Sequence, residues 1–285
     1  MLEFTVLQRG WKTHLANLIS NARTELLIAS PYVTEQGTEF VAENLHASFR
    51  KIGHLTFLTD LSPLNVAQGS TNPHALQTLE AVISTFSVKH LPRLHAKVYV
   101  ADGKRAIVTS GNLTAGGLAL NYEYGVEFVN SPLVKTVRQD IIDYANLGAD
   151  VSANELQAYC QAADRVRLAF RKEREGIAKS IKAEFTKLLR TAEDKLIKLR
   201  LAEGPIHTVF GKTILYLLSK HRTLSTQDIH QLIREMHPDL CDDTVDRVID
   251  GKRYGKKWKH AVRTAQQHLK RRGLVRLIGD QWSLK

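Results

Sequence analysis

The sequence predicts an α/β fold over residues 1–150, a sandwich built on a mixed β-sheet, followed by a helical linker and a small helix-rich domain. Two observations support this prediction. Short apolar runs alternate with segments of helical spacing through the first half, which is typical of α/β domains. After Asn154 the strand signals disappear, and Gly204-Pro205 then ends a long helical pattern. We therefore predict domains at residues 1–150, 151–204 and 205–285.

The first half divides into apolar, strand-like runs and segments of helical spacing. The strand-like runs are Glu25–Val33, His54–Leu61, Phe86–His90, a run from Leu94 to a turn at Asp102-Gly103, Arg105–Thr109 and Tyr124–Val129. The helical segments are Trp11–Asn21, Phe40–Arg50, His74–Ser84 and Leu133–Asn146. Residues 61–73 are rich in turn formers and predict a surface loop, with contact to substrate as the alternative.

A periodic stripe of apolar residues follows, in a densely charged background. Its members are Val166, Phe170, Ile177, Ile181, Phe185, Leu188, Ala192, Leu196 and Leu199. Steps of three, four and seven residues predict one long amphipathic helix or two. Packing against the rest of the chain is the simpler explanation of the stripe, and a dimer-forming or spacer role is the alternative.

The last segment predicts four helices and a β-hairpin. The helices are Val209–Lys220, a second that Ser225 caps, Asp242–Ile249 and Lys256–Arg271. Two short apolar runs, Leu274–Ile278 and Gln281–Leu284, flank a Gly279-Asp280 turn. Helices followed by a small hairpin predict a winged-helix domain.

The net charge of +11 lies in the second half of the chain. Residues 1–150 carry 12 basic and 13 acidic side chains, a net charge of −1, so the remainder carries +12. Nine basic residues occur from 252 to 272 with no acidic residue among them: Lys252, Arg253, Lys256, Lys257, Lys259, Arg263, Lys270, Arg271 and Arg272. Such a density neutralises phosphates, so duplex DNA is the predicted partner. A solvated basic face or a protein-contact module is the alternative.

Three polar residues lie within this basic cluster, at positions that face a groove if the helix binds DNA. They are Gln266, Gln267 and His268. Glutamine amides and imidazoles can hydrogen-bond base edges in the major groove. We predict that these residues contribute to base reading.

The stretch from Leu94 to Glu127 combines the residue types that phosphate chemistry requires. His95 and Lys97 alternate with Ala96 and Val98, so on a strand they project from the same face. An imidazole can attack phosphorus and form a covalent phosphohistidine, provided that a neighbouring cation neutralises the phosphoryl oxygens. Lys97 is the candidate for that cation.

Four further residues are candidates for the same site. Ser110 and Asn112 lie in a Ser-Gly-Asn turn, where hydroxyl, amide and backbone groups can approach a phosphate closely. Glu123 can orient the imidazole, as carboxylates do for catalytic histidines. Asp102, directly before Gly103, is predicted to open the turn between two strands and to hydrogen-bond locally.

His95, Lys97 and Asp102 stand as His-x-Lys-x4-Asp, and Ser110, Asn112 and Glu123 follow in order. This pattern resembles the HKD motif of the phospholipase D superfamily with its downstream Ser-x-Asn and Glu, although Thr109 stands where many members have Gly. The resemblance is to the bacterial single-motif nucleases in particular, and it covers roughly the first half of the chain. It implies a phospholipase D-like sandwich, a histidine nucleophile, a second histidine that protonates the leaving oxygen, and no metal or other cofactor.

A second copy of the motif is absent, because no other histidine has a lysine two residues later. The second histidine must then come from another chain. We predict a homodimer with one composite site on its two-fold axis. The C-terminal segment resembles winged-helix modules attached to restriction-system proteins, which suggests by analogy a role in restriction or phage defence.

Other classes of protein are disfavoured by composition. Cys160 and Cys241 form no paired motif, so neither a disulfide framework nor a cysteine zinc site is predicted. The N-terminal residues lack a signal pattern, and no apolar run approaches the roughly 18 residues that a spanning helix needs. We expect a cytoplasmic protein with no membrane partner.

These observations predict a metal-independent endonuclease of the phospholipase D type that acts on DNA. Three alternatives stay open: a DNA-binding adaptor with latent or partner-activated nuclease activity, a phospholipase, and an RNA phosphodiesterase.

Overall fold

The computed structural model describes residues 4–174, 179–202 and 204–285. The chain divides between Leu196 and Ile197 into two compact units. The three domains inferred from the sequence remain a prediction. Of the predicted apolar stripe, Ile177 and the side chain of Ile181 lie outside the described part of the chain.

The first unit is built on an eight-stranded mixed sheet. Its strands are β1 (Phe4–Leu7), β2 (Glu25–Ala29), β3 (His54–Thr59), β4 (Thr85–His90), β5 (Val98–Ala101), β6 (Arg105–Thr109), β7 (Gly125–Val129) and β8 (Ala149–Val151). They lie side by side in the order β1-β7-β6-β5-β2-β3-β4-β8. The β2, β3 and β4 strands run parallel, and the other neighbours are antiparallel. The predicted mixed-sheet α/β fold is confirmed.

Helices cover both faces of this sheet. The helices of this unit are α1 (Lys12–Asn21), α2 (Glu35–Asn44), α3 (Ala47–Ile52), α4 (Pro63–Ala67), α5 (Pro73–Glu80), a π-helix at Gly116–Leu120, α6 (Pro132–Leu147) and α7 (Ala153–Arg174). A further helix, α8 (Lys179–Arg200), continues past the boundary between the two units. Val98 and Val100 of β5 join a core cluster with Ile141 of α6. Tyr99 alternates to the other face, where its ring centroid lies 5.6 Å from that of Trp11, next to α1. The central strand is therefore buried on both sides, which fixes the position of the residues at its ends.

Three local predictions for this unit need correction. The segment Phe40–Arg50 is not one helix, because α2 ends at Asn44 and His46 caps α3 by accepting a hydrogen bond from the Ser48 amide. The stretch 61–73 contains α4, which Pro63 starts at the first helical position. The strands β1 and β8 carry no sequence signal, because edge strands of four and three residues are too short to show a period.

The second unit combines three helices with short strands. Its elements are α9 (Ile206–Lys220), β9 (Leu224–Ser225), α10 (Thr226–Met236), β10 (Asp246–Ile249), β11 (Lys252–Lys256), α11 (Lys257–Arg271), β12 (Val275–Ile278) and β13 (Gln281–Leu284). The predicted C-terminal hairpin is present, and β9 completes a sheet in the order β12-β13-β9. Ser225 caps α10 through a capping box with Asp228, as predicted. Trp258 and Trp282 are buried in the core that α9, α10 and α11 share.

The predicted helix Asp242–Ile249 is wrong. This segment instead supplies β10, which pairs with β11 so that Ile249 lies opposite Lys252. Asp250 and Gly251 between them have φ values of 49° and 75°. An Asp-Gly pair with positive φ closes a two-residue hairpin, and the β-branched Val248 and Ile249 favour a strand over a helix. Among the described residues, no helix combines the length and apolar character that crossing a membrane requires.

Candidate active site

His95 and Lys97 lie directly before β5 rather than on it. The chain reaches the sheet through a turn at residues 91–93, where Arg93 has a φ of 64° and its amide donates to the Asp60 carboxylate at 3.0 Å. The carbonyl of Lys97 already accepts a hydrogen bond from the Thr109 amide at 3.0 Å. His95 and Lys97 thus lie in an extended segment beside the end of β6. Their side chains still contact each other.

The His95 imidazole and the Lys97 ammonium form a contact pair. The Lys97 Nζ lies 3.0 Å from His95 Nε2 and donates to the His95 carbonyl at 3.0 Å. In its charged form lysine can only donate, so Nε2 accepts and the proton of a neutral ring lies on Nδ1. His95 is exposed, whereas Lys97 is 6 % exposed. The imidazole is therefore exposed to solvent with its Nε2 held by Lys97, and the ammonium group is largely dehydrated.

Burial lowers the pKa of Lys97, and the nearby Glu123 carboxylate opposes this by favouring the charged form. A cation removed from water attracts an anion more strongly than a hydrated one does. The site therefore favours a ligand that brings a negative charge to Lys97. A phosphodiester does this, and its phosphorus can then lie next to His95.

Glu123 holds the Ser110 turn and does not touch the imidazole in this chain. Its carboxylate accepts hydrogen bonds from the Ser110 hydroxyl and from the Asn121 amide, the latter at 3.0 Å. The Ser110 hydroxyl in turn accepts from the Tyr124 amide at 3.0 Å. Among the described residues, no hydrogen bond joins Glu123 to His95. The orienting role of Glu123 remains a prediction, and a positioning role for Ser110 is what this geometry supports.

The Ser110-Gly111-Asn112 turn is fixed by aromatic residues that the sequence did not single out. The Tyr99 hydroxyl donates to the Gly111 carbonyl at 3.1 Å, and Trp11 donates to the Gly117 carbonyl at 2.7 Å. A Cβ on Gly111 would lie 2.4 Å from the Trp11 ring, and one on Gly117 would lie 2.3 Å from the Asn112 carbonyl oxygen. The buried side-chain oxygen of Asn112 has no hydrogen-bond partner among the described residues. The glycines thus allow a close fit that positions Asn112.

Asp102 lies at the opposite end of β5 from His95 and Lys97, and five residues of extended chain, about 17 Å at roughly 3.3 Å per residue, separate it from Lys97. It has a φ of 51° and opens the predicted turn, but its hydrogen bonds are not local. The carboxylate accepts from the backbone amides of Arg23, Thr24 and Glu25 and from the Thr24 hydroxyl, at 2.9–3.0 Å. It therefore ties the end of β5 to the start of β2. Asp102 therefore has a structural role, holding β5 in place, rather than a chemical role in the site.

Replacing Asp102 with alanine is expected to destabilise the first unit by about 2 kcal/mol, because amides near the start of β2 lose a charged acceptor. Burial alone would raise the pKa of Asp102, but the amides and the hydroxyl together lower it. The stabilisation is therefore present above the unfolded-state pKa and is lost as the pH falls through the lowered folded-state value. Thermal melts of wild type and Asp102→Ala at pH 7 and pH 3 test this.

The exposed Glu39 on α2 offers a matched control for that comparison. Glu39→Ala is expected to change stability little at either pH. Equal stability of Asp102→Ala and wild type at pH 7 would contradict the supporting role.

The candidate DNA-binding residues are distributed over β11 and α11. Lys252, Arg253 and Lys256 lie on β11, whereas Lys257, Lys259, Arg263, Gln266, Gln267, His268, Lys270 and Arg271 lie on α11, and Arg272 caps it. Gln266 is 2 % exposed and faces the Thr226 hydroxyl at 3.4 Å, so it is not available to read bases. Gln267 and His268 are exposed. The helical period explains the difference, because Gln266 follows Val262 and Ala265 on the apolar face.

No group of three or more His, Cys, Asp or Glu side chains in residues 4–174, 179–202 and 204–285 is arranged to hold a metal ion. Cys160 and Cys241 are buried free thiols, and burial raises the pKa of each to about 12.

Three solved structures are similar to about half of this chain. The phospholipase D family member Nuc from Salmonella typhimurium is 19% identical, over 52% of this chain and 98% of that chain, with a TM-score of 0.43. NucT from Helicobacter pylori is 15% identical, over 50% of this chain and 96% of that chain, with a TM-score of 0.41. The phosphatidylserine synthase of Haemophilus influenzae Rd KW20 is 18% identical, over 50% of this chain and 38% of that chain, with a TM-score of 0.38.

Comparison with curated proteins finds no match to this chain. A family model does match, over residues 15–144, and it describes the phospholipase D-like domain of cardiolipin synthase. The matched residues include His95, Lys97, Asn112 and Glu123. Residues 15–144 of this chain are thus similar to the phospholipase D-like domain that this family model describes.

Proposed function

We propose that this protein is a metal-independent phosphodiesterase that cleaves DNA through a covalent phosphohistidine at His95, in a composite site formed by two chains. The contact between His95 and Lys97 carries the proposal. The Nε2 of an exposed imidazole lies 3.0 Å from a largely dehydrated ammonium group. A nucleophile and a fixed positive charge are thereby presented together to an incoming phosphodiester.

The reaction runs in two displacements at phosphorus. The Nε2 lone pair of His95 attacks, the N–P bond forms, and the P–O bond to the leaving strand breaks. The partner subunit's His95, in its protonated form, gives its proton to the leaving oxygen. Water then attacks the phosphohistidine, the partner subunit's His95 takes a proton from it, and the N–P bond breaks to leave a terminal phosphate on the DNA.

The remaining groups hold the phosphoryl oxygens or fix the loop that does. Lys97 exchanges its hydrogen bond with His95 for one with a phosphoryl oxygen, which frees Nε2 to attack. The amide of Asn112 donates to another oxygen, and the Ser110 hydroxyl is held nearby by Glu123. Lysine and amide donors supply the positive potential that a metal ion supplies in other phosphodiesterases. Chelating agents should therefore leave the activity intact.

An exposed apolar surface next to the site supports the homodimer. Leu120, Tyr122 and Tyr124 are 70%, 85% and 60% exposed, and they flank Glu123 in the chain. Side chains of this type are enriched in the centres of protein interfaces. A two-fold contact over this surface would bring the site of one chain towards its own copy, as the proposed proton donor requires.

Mixing experiments test the composite site. Wild-type chains are co-refolded with an excess of His95→Ala chains, and cleavage is measured per wild-type chain. Because one site needs both histidines, activity per wild-type chain is expected to fall in proportion to the wild-type fraction. A constant activity per wild-type chain would show that each chain cleaves alone. Light scattering on the same samples gives the mass of the assembly.

In this proposal the second unit binds duplex DNA. Eight of the nine basic residues from 252 to 272 are exposed, and Lys256 is partly buried. They lie on β11, on α11 and at the C-cap of α11. We assign this unit as a winged helix in which α11 enters the major groove. By analogy with the restriction-system modules that the sequence resembles, the nuclease acts in restriction or phage defence.

Cleavage of supercoiled plasmid by the purified protein in EDTA tests the proposed function. Nicking that persists in the chelator, and that falls as salt rises, is expected. Intact plasmid together with salt-sensitive binding would instead favour a DNA-binding adaptor with latent activity. Parallel assays on RNA and on phospholipid vesicles decide between DNA and the two other substrate classes.

A further inference from the structure

We propose that the β10–β11 hairpin is a DNA-bending element, which inserts the apolar side chains beside its turn into a groove of the duplex next to α11. This inference rests on the proposed DNA binding and adds a second contact to it. The proposed wedge consists of Val248 and Ile249 next to the turn, with Arg253 and Lys252 opposite them. The sequence pattern had assigned Asp242–Ile249 to a helix, so this contact surface emerges only from the structure.

The hairpin is exposed on both of its faces. Every residue from 247 to 255 is exposed, including Val248 at 57%, Ile249 at 41% and Tyr254 at 51%. Two-stranded hairpins are marginally stable in water unless a face is covered. Apolar side chains held in solvent on such a ribbon therefore indicate that a partner covers them.

The shape of the hairpin is fixed at both ends. At the tip, Asp250 and Gly251 form a two-residue turn with positive φ values. At the base, Lys256 pairs with Asp246 at 2.9 Å. His260 of α11 joins both strands, because Nε2 donates to the Tyr254 carbonyl at 2.5 Å and Nδ1 accepts from Arg247 at 3.3 Å. A preformed ribbon loses little entropy on binding.

The charge of the hairpin favours an anionic partner. Residues 246–256 contain four basic and two acidic side chains. Asp246 is paired with Lys256 at 2.9 Å and with Arg253 at 3.7 Å, and the exposed Asp250 lies in the turn, so the net charge of +2 comes from the basic residues in excess over these two carboxylates. Lys252 and Arg253 lie opposite Ile249 and Val248. Apolar side chains flanked by lysine and arginine are the composition of wedges that enter the minor groove, separate base steps and bend DNA.

The position of the hairpin matches this role. The strand β11 ends at Lys256 and α11 begins at Lys257, so the ribbon leads directly into the N-terminus of the proposed recognition helix. In helix-turn-helix proteins that end of the helix meets the bases. A bound α11 therefore brings the hairpin to the duplex.

The test compares Val248→Ser/Ile249→Ser with wild type in the full-length protein. A duplex of about 30 base pairs carries a fluorophore at each end, so that energy transfer reports the bend while anisotropy gives the affinity. The variant is expected to lose the bend and to bind about tenfold more weakly. Its salt dependence should equal that of wild type, because apolar contacts release no counterions. Lys252→Gln/Arg253→Gln should instead reduce the slope of log affinity against log salt by about 1.8.

Ile52→Ser/Leu168→Ser is the matched control, since both residues are exposed apolar side chains in the other unit, at 74% and 55%. It should bind and bend as wild type does, and melting curves establish that all variants fold. Permanganate oxidation of wild-type complexes tests the wedge without any substitution, because unstacked thymines at one step should become reactive.

Wild-type bending by Val248→Ser/Ile249→Ser, or unreactive thymines, would overturn the hairpin proposal and leave the proposed nuclease standing. Failure of wild type to bind duplex DNA at low salt would overturn both. Equal and equally hairpin-dependent binding of double-stranded RNA, whose grooves differ in shape, would also overturn the assignment to DNA.

Discussion

His95→Ala is expected to slow DNA cleavage by at least about 10³-fold while leaving the melting temperature near that of wild type. The loss is large because, in the proposed mechanism, the imidazole forms the bond to phosphorus and, on the partner chain, supplies the leaving-group proton. Stability changes little because the side chain is exposed and its hydrogen bond is to Lys97. Single-turnover cleavage rates and thermal melts measure the two quantities.

The exposed His221 on the second unit provides the matched control. His221→Ala should cleave at the wild-type rate. If His95→Ala kept more than about a tenth of the wild-type rate, another group would have to be the nucleophile. Unchanged DNA affinity in His95→Ala would confirm that the substitution acts on chemistry rather than on binding.

Lys97→Met is expected to reduce the cleavage rate by about 10²- to 10³-fold, the usual effect of removing one electrostatic donor, and to raise stability at pH 7. Burial lowers the pKa of Lys97 below its value in the unfolded chain, so the folded state binds the proton more weakly. The charged lysine therefore destabilises the fold below its folded-state pKa, and this cost disappears as the pH rises towards the unfolded-state value of 10.5. Methionine removes the cost.

Melts at pH 7 and pH 10 check the sign of this effect. The advantage of Lys97→Met should be greatest at pH 7 and should shrink at pH 10. Lys104→Met, on an exposed lysine just beyond β5, should be active and should show no such trend. Lower stability of Lys97→Met than of wild type at pH 7 would show that Glu123 outweighs the burial of the charge.

The sequence predicted the contact of His95 with Lys97 because a period of two places alternate side chains on one face. The same alternation holds in any extended segment. The contact therefore forms although β5 begins only at Val98. The motif placed Ser110 and Glu123 in the same site, but it did not indicate that Glu123 would accept a hydrogen bond from Ser110.

Contacts between distant segments could not be predicted in the same way. Asp102 binds amides near the start of β2, and Trp11 and Tyr99 fix the turn before Asn112, through contacts that join residues far apart in the chain. No local period encodes such pairs. The β10–β11 hairpin was missed for another reason, because four residues between two turns fit a helix as well as a strand.

Trapping the covalent intermediate tests the central claim most directly. Wild-type protein is mixed with DNA in EDTA, stopped within milliseconds to seconds in alkali, where an N–P bond survives, and digested for mass spectrometry. A nucleotide or oligonucleotide phosphate is expected on His95, absent from His95→Ala and lost as product forms. Cleavage without any adduct on His95, or an adduct on another residue, would contradict that claim.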